Sequence, residues 1–278
     1  MRLVWQLVAV VAVSFLGGQA LVLTGDNPWL TLVVGLATAV GALALYAWVV
    51  RRTERRVVTE LAADGAARSL GLGTLVGLGV FSAVIGIIAA LGGYTVHGLG
   101  TVPGALGLVG FMAGAAVTEE LLWRGVLFRF VEGWIGTWAA LALTGLLFGL
   151  AHLLNPNATL WGAIAIAIEA GGMLTAAYVA TRRLWLPIGL HLGWNVAGSA
   201  LFSTEVSGND TSQGLLDAST SGNVLVTGGA FGPEGSVFSV LLCAATAVVL
   251  LVVAHRRGEI VPLRRSARAA RDAARLPA

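Results

Sequence analysis

The chain contains no lysine: all 17 of its basic residues are arginine, set against 14 acids, for a formal charge of +3. Charged residues make up 11% of the 278 positions, less than half of the roughly 25% in an ordinary soluble domain. The single cysteine, Cys243, excludes an internal disulfide and a cysteine-built metal site, which leaves apolar packing as its role. With so little charge beside 57% hydrophobic residues and a mean hydropathy of +0.85, a soluble globular domain is excluded too. The pI of about 9.7 then reports arginine-rich loops and tails at lipid headgroups rather than nucleic-acid binding.

What is present instead is a series of apolar runs. A hydrocarbon core of ~30 Å takes about 20 helical residues, and helices satisfy their own backbone in lipid. The expected class is therefore all-α, a polytopic transmembrane helical bundle. Spans are read at 3–23, 29–50, 72–91, 103–132, 137–154, 160–180, 184–202 and 237–254, about eight in all. Gly18-Gln19-Ala20 would suit a signal-peptide cleavage site, but Leu21-Val22-Leu23 prolongs the apolar run and favours an uncleaved first helix. Arginines at 51–56, 182–183 and 256–275 fall on one side of this topology, so the positive-inside rule puts both termini in the cytoplasm.

The chain divides accordingly. Residues 1–102 carry the first three helices and a cytoplasmic connector, 51–70, read as a short amphipathic helix at the interface. Residues 103–203 form a core of helices four to seven, 204–236 an outer polar loop, and 237–278 the last helix with a basic cytoplasmic tail. The fourth segment is longer than a bilayer requires, and its last third, from Trp123, is expected at the interface. His97 reads as a solvated loop residue and His255 as an interfacial one.

Three polar islands interrupt the apolar helices: Glu119-Glu120 with Arg124, Phe148 with His152, and His191 with Asn195. A carboxylate at the bilayer centre costs at least ~2.5 to 3.5 kcal/mol, so adjacent carboxylates demand partners or a purpose. Glu120 and Arg124 are four apart, acid first, and pair on one helix face. Glu119 points about 100° away and has no intrahelical base, as suits a general base. If the chain turns near Gly133–Gly136, Glu119 and His152 come to similar depth, within reach of a shared water or metal ion. His191 and Asn195 share a face and offer an imidazole and an amide to an oxyanion, or a second histidine ligand. One tension remains: His191 lies near the cytoplasmic Arg182-Arg183, whereas His152 lies near the far end of its span. Glu169, alone in the sixth span, reads as a partner for Arg124 or His191, with proton relay as the sharper alternative.

In order and spacing, Glu119-Glu120-x-x-x-Arg124, Phe148-x-x-x-His152 and His191-x-x-x-Asn195 resemble the CAAX prenyl protease and bacteriocin-processing family of intramembrane proteases, related to the type II CAAX endopeptidase. The resemblance makes 103–203 the catalytic core, and 227–234 also resembles a segment of some bacterial members. It implies peptide-bond hydrolysis within the membrane. Glu119 with His152 would activate a water, His191 with Asn195 would stabilise the oxyanion, and Glu120 with Arg124 would hold the geometry. The same residues serve a zinc enzyme, with Glu119, His152 and His191 as ligands, or a metal-independent glutamate protease. The lysine-free, Ala-, Gly- and Arg-rich composition looks like that of a high-GC bacterium, which implies a multi-pass plasma-membrane protein whose substrate is a membrane-associated peptide or protein other than a prenylated one. Two rival classes stand beside it: a proton-coupled transporter, against which no internal repeat is found, and a non-catalytic immunity or scaffold protein.

Overall fold

The structure, a computed structural model, describes residues 1–209 and 214–263; most of the expected basic tail lies outside them. It is a helical bundle in which seven helices are long and apolar enough to cross a membrane. They are α1 (Arg2–Val22), α2 (Pro28–Glu54), α3 (Ala66–Ala90), α4 (Val102–Ile135), α5 (Thr137–Leu154), α6 (Leu160–Thr181) and, last in the chain, α8 (Val237–Arg256). Between α6 and α8 lies α7 (Trp185–Asn195), an 11-residue helix continued by six residues of π-helix, Val196–Leu201. It is almost wholly buried and completes the expected eight.

Local chemistry sets the helix starts. Asn27 accepts from the amides of Trp29 and Leu30 ahead of Pro28, Thr101 accepts from Gly104, Thr159 from Gly162, and Ser236 from Phe238. Each side chain satisfies an otherwise orphaned first-turn N–H. Gly136, at φ +79°, makes the turn from α4 into α5; a side chain there would also strike the backbone of Val261–Leu263. That C-terminal segment is tied down by Thr137, whose N–H donates to the Val261 carbonyl at 3.0 Å and whose Oγ1 accepts from the Val261 N–H at 2.8 Å.

Close helix approach relies on glycine, as expected where lipid gives apolar side chains no preference for one another. Gly73 and Gly77 of α3 face Gly189 and Gly193 of α7, and a Cβ at any of the four would overlap the opposing backbone. This contact fixes the helix that carries His191 and Asn195.

Three expectations need correction. The connector holds only a single 3-10 turn, Thr59–Leu61, and no amphipathic helix. It is pinned by Glu60, which takes both arms of the Arg56 guanidinium at 2.7 Å and the Tyr46 hydroxyl at 2.7 Å. Burial alone would raise the Glu60 carboxyl, but these donors hold it below the usual carboxylate value. Second, α4 does not surface at Trp123: Arg124 and Glu132 are buried, because α1, α2 and α6 close around this stretch. Third, the expected outer polar loop is a folded cap. Leu216–Thr220 pairs antiparallel with Tyr94–Leu99, with a bulge between Val96 and Gly98, while Thr204, Ser207, Phe231 and Glu234 are buried. His97 sits in the exposed strand, 2.8 Å from the Ser219 hydroxyl, and Cys243 packs in the core beside α3 and α6.

Candidate active site

A cavity of about 810 Å³ is lined by Glu119, His152, His191 and Asn195 together. Each arrives from a different element: Glu119 on α4, His152 at the end of α5, and His191 and Asn195 on α7. The depth tension dissolves because the α-helical part of α5, Thr137–Ala151, has only 15 residues, about 22 Å at 1.5 Å per residue. It stops short of the far side of a ~30 Å core, so His152 ends inside the bundle without strong tilting.

Behind the cavity wall, Glu120 is fully buried. Its Oε1 accepts from Arg124 NH1 at 2.7 Å and from His191 Nδ1 at 2.9 Å. Arg124, 1% exposed, also donates to Thr175 Oγ1 at 3.3 Å and to the Ala170 carbonyl, and lies 4.8 Å above the Phe148 ring. The Glu120–Arg124 pair is therefore interior rather than at the headgroups, and it ties α4 to α6 and α7.

These contacts set the imidazole orientations. With Nδ1 of His191 on Glu120, its Nε2 lies toward Glu119, 4.0 Å from Oε2. The Nδ1 of His152 is 2.8 Å from the Phe148 carbonyl; a carbonyl only accepts, so Nδ1 carries the proton and Nε2 is left to the cavity. Glu119 is the least enclosed of the four glutamates gathered here, with its side chain 35% exposed while Glu120, Glu169 and Glu234 are buried. Among the described residues no hydrogen bond joins it to His152; its close imidazole is that of His191. Asn195 lines the same cavity one helical turn beyond His191.

Glu169 does not partner Arg124 or His191. Both its oxygens are buried without a hydrogen bond, because the π-helical stretch Ala167–Leu174 presents the neighbouring Ala170 carbonyl to Arg124 in its place. All three π-helical stretches, 121–128, 167–174 and 196–201, adjoin the polar cluster, a common siting for such bulges.

One residue at the site was missed in the sequence reading. Glu234, from the cap, lines the cavity and accepts from Trp194 Nε1 at 2.7 Å, from Ser207 Oγ at 2.9 Å and from the Ser207 N–H. Burial pushes its carboxyl above the usual range against the pull of these donors and of nearby His152. Only its place in the segment 227–234 marked it beforehand. Its bond to Trp194 fastens the cap to the helix bearing His191 and Asn195.

As for a metal, no three His, Cys, Asp or Glu side chains among the described residues are grouped closely enough to hold an ion. Glu119, His152 and His191 share the cavity without forming a ligand cage.

Seven helices long and apolar enough to span a membrane, with carboxylates, imidazoles and an amide gathered among them, fit a multi-pass membrane protein with an embedded polar site. Residues 101–197 match the family described as Type II CAAX prenyl endopeptidase Rce1-like, the family whose likeness the three motifs carry, and all seven motif residues lie within the matched segment. At the family level the match, over 97 of the 278 residues, supports a CAAX-type endopeptidase of the membrane, with peptides or proteins there as substrates. No curated protein and no solved structure matches the chain.

Proposed function

We propose that the protein is an intramembrane endopeptidase in which Glu119 and His152 activate a water against a peptide carbonyl. The observation that carries this reading is the convergence of Glu119, His152, His191 and Asn195 on one cavity. Glu119, the most open of the glutamates gathered at the site, takes a proton from the water as it adds to the carbonyl carbon, with the Nε2 of His152 as the second acceptor on that wall. The tetrahedral oxygen faces the Asn195 amide and His191 Nε2, which donates when the ring, whose Nδ1 proton already goes to Glu120, carries a proton on Nε2 as well; donors at such a position stabilise charge that develops only in the transition state. Collapse breaks the C–N bond, and the proton held by Glu119 passes to the leaving amine. Glu120 and Arg124 orient His191 and do not touch substrate.

These steps use only the chain's own residues. A zinc ion, if bound, would be held by Glu119, His152 and His191 and would polarise the carbonyl or acidify the water; those side chains would have to close in around it. The setting proposed is a bacterial plasma membrane, with a membrane-associated peptide or protein as substrate.

The test is cleavage of a peptide library by the purified protein in nanodiscs, with metal content measured on the same sample. Cleavage products are expected, lost in His152→Ala, with turnover retained after chelation. Stoichiometric zinc and chelator-sensitive cleavage would replace the metal-free scheme. Solute flux in liposomes without proteolysis would replace the protease by a transporter.

A further inference from the structure

The cavity has a direction. Its lining runs from the middle of the bundle, at Glu119, Leu174 and His191, out to one end: the last turns of α1 (Gly18, Val22), the turn at Asp26, the start of α4 (Pro103), the end of α5 and the cap at Asn209. Asp26, Pro103 and Asn209 are exposed at the rim. The arginines at 51–56, 182–183 and 256–257 stand at the opposite ends of α2, α6 and α8, and no arginine lines the cavity.

From the arginine end the way inward is shut. Gln6 of α1 holds Glu54 at 2.7 Å, Arg129 of α4 holds Gln6 and Glu54 at 2.8 and 2.7 Å, and Tyr46 bonds the Gly125 carbonyl at 2.8 Å. Arg182 closes the other flank on Glu132 at 2.5 Å. Beneath this layer the Glu120–Arg124 pair fills the space up to the catalytic wall.

Charge says which side is which. The connecting segments at the cavity end, 24–27, 91–101, 155–159 and 202–236, contain no arginine, whereas among the described residues every arginine except Arg124 lies toward the other end. Such asymmetry places the arginine-rich ends in the cytoplasm. From these three observations we infer that the site is open to the extracytoplasmic face and takes peptide from there: a secreted or leader-derived peptide, or the outer flank of a membrane-spanning protein, and not a cytoplasmic tail. The volume, near the upper end of the ~300–1,000 Å³ usual for ligand pockets, suits a short extended segment. With Asp26 at the rim and no cationic side chain along the wall except the histidines, neutral or basic segments enter more readily than acidic ones.

This inference refines the protease reading but is tested without cleavage. In a Cys243→Ala background, single cysteines are placed inside the cavity (Ala115→Cys, one turn from Glu119), at its rim (Asp26→Cys) and at the arginine end (Arg52→Cys). A charged, membrane-impermeant thiol reagent is then added to right-side-out or inside-out vesicles. The expected result is labelling of Ala115→Cys and Asp26→Cys in right-side-out vesicles, lost in inside-out ones, with Arg52→Cys behaving oppositely. Labelling of Ala115→Cys only from the face that labels Arg52→Cys, or from neither face, would overturn the inference. So would labelling of Asp26→Cys only in inside-out vesicles. Outward labelling in a protein that cleaves no peptide would leave the access intact and sink the protease reading alone.

Discussion

Arg124→Met removes the one cation that meets Glu120 inside the bundle. In the wild type Glu120 is fully buried and its Oε1 sits between Arg124 at 2.7 Å and His191 at 2.9 Å. Without the guanidinium, a buried carboxylate retains an imidazole alone, and breaking such a pair from one side costs about 3–5 kcal/mol. The lost bonds to Thr175 and the Ala170 carbonyl, both donated by the charged guanidinium, add about 1.5–3 kcal/mol each. Glu120→Gln should cost a comparable amount by stranding Arg124. The double variant removes both charges, so much of the penalty should return, with a coupling of about 1–3 kcal/mol between the sites. Reversible unfolding in mixed micelles, followed by circular dichroism for all four proteins, gives the cycle directly. Strict additivity, with coupling below about 0.5 kcal/mol, would refute the claim that the pair acts as an interior unit.

Gly193→Ala places a methyl group against the Thr74 backbone; overpacking of this kind costs about 1–3 kcal/mol, and because α7 carries His191 and Asn195, turnover should fall with the detergent melting temperature, whereas Gly79→Ala, with open space around it, should change neither. Trp194→Phe deprives Glu234 of one of three donors and should cost about 1.5–3 kcal/mol, the usual worth of a hydrogen bond to a charged group; proteolysis of the cap at 203–236 in membranes would report its loosening. Glu60 has a carboxyl held below its ordinary value of 4.5 by Arg56 and Tyr46, so its stabilisation is complete above that pH and is lost as pH falls through the lower folded value. Glu60→Gln should therefore flatten the acid side of the stability profile, and an unchanged profile would refute this.

How much of this was legible beforehand differs from element to element. The spans were readable because twenty-residue apolar runs have one solution in lipid, and α1 to α8 lie within a few residues of the positions expected. The Glu120–Arg124 pair was readable because i,i+4 neighbours meet on any α-helix. The depth of Arg124 was not, since burial by α1, α2 and α6 is a tertiary matter that one amphipathic-looking stretch cannot show. Nor was Glu169's isolation, which follows from a π-helical stretch that has no sequence signature. Glu234 was hidden for another reason: it lies in a Gly- and Ser-rich segment whose polarity reads as solvated loop, and only the donors on Trp194 and Ser207 draw it inside.

The division of labour between the adjacent carboxylates is the central claim, and Glu119→Ala tests it most directly. Glu119 faces the cavity and bonds no other side chain in its own helix, so the variant should fold with a near-native melting temperature and yield no cleavage products from a peptide library that the wild-type protein cleaves. Undiminished cleavage by Glu119→Ala, analysed by mass spectrometry in the same nanodiscs, would contradict the account.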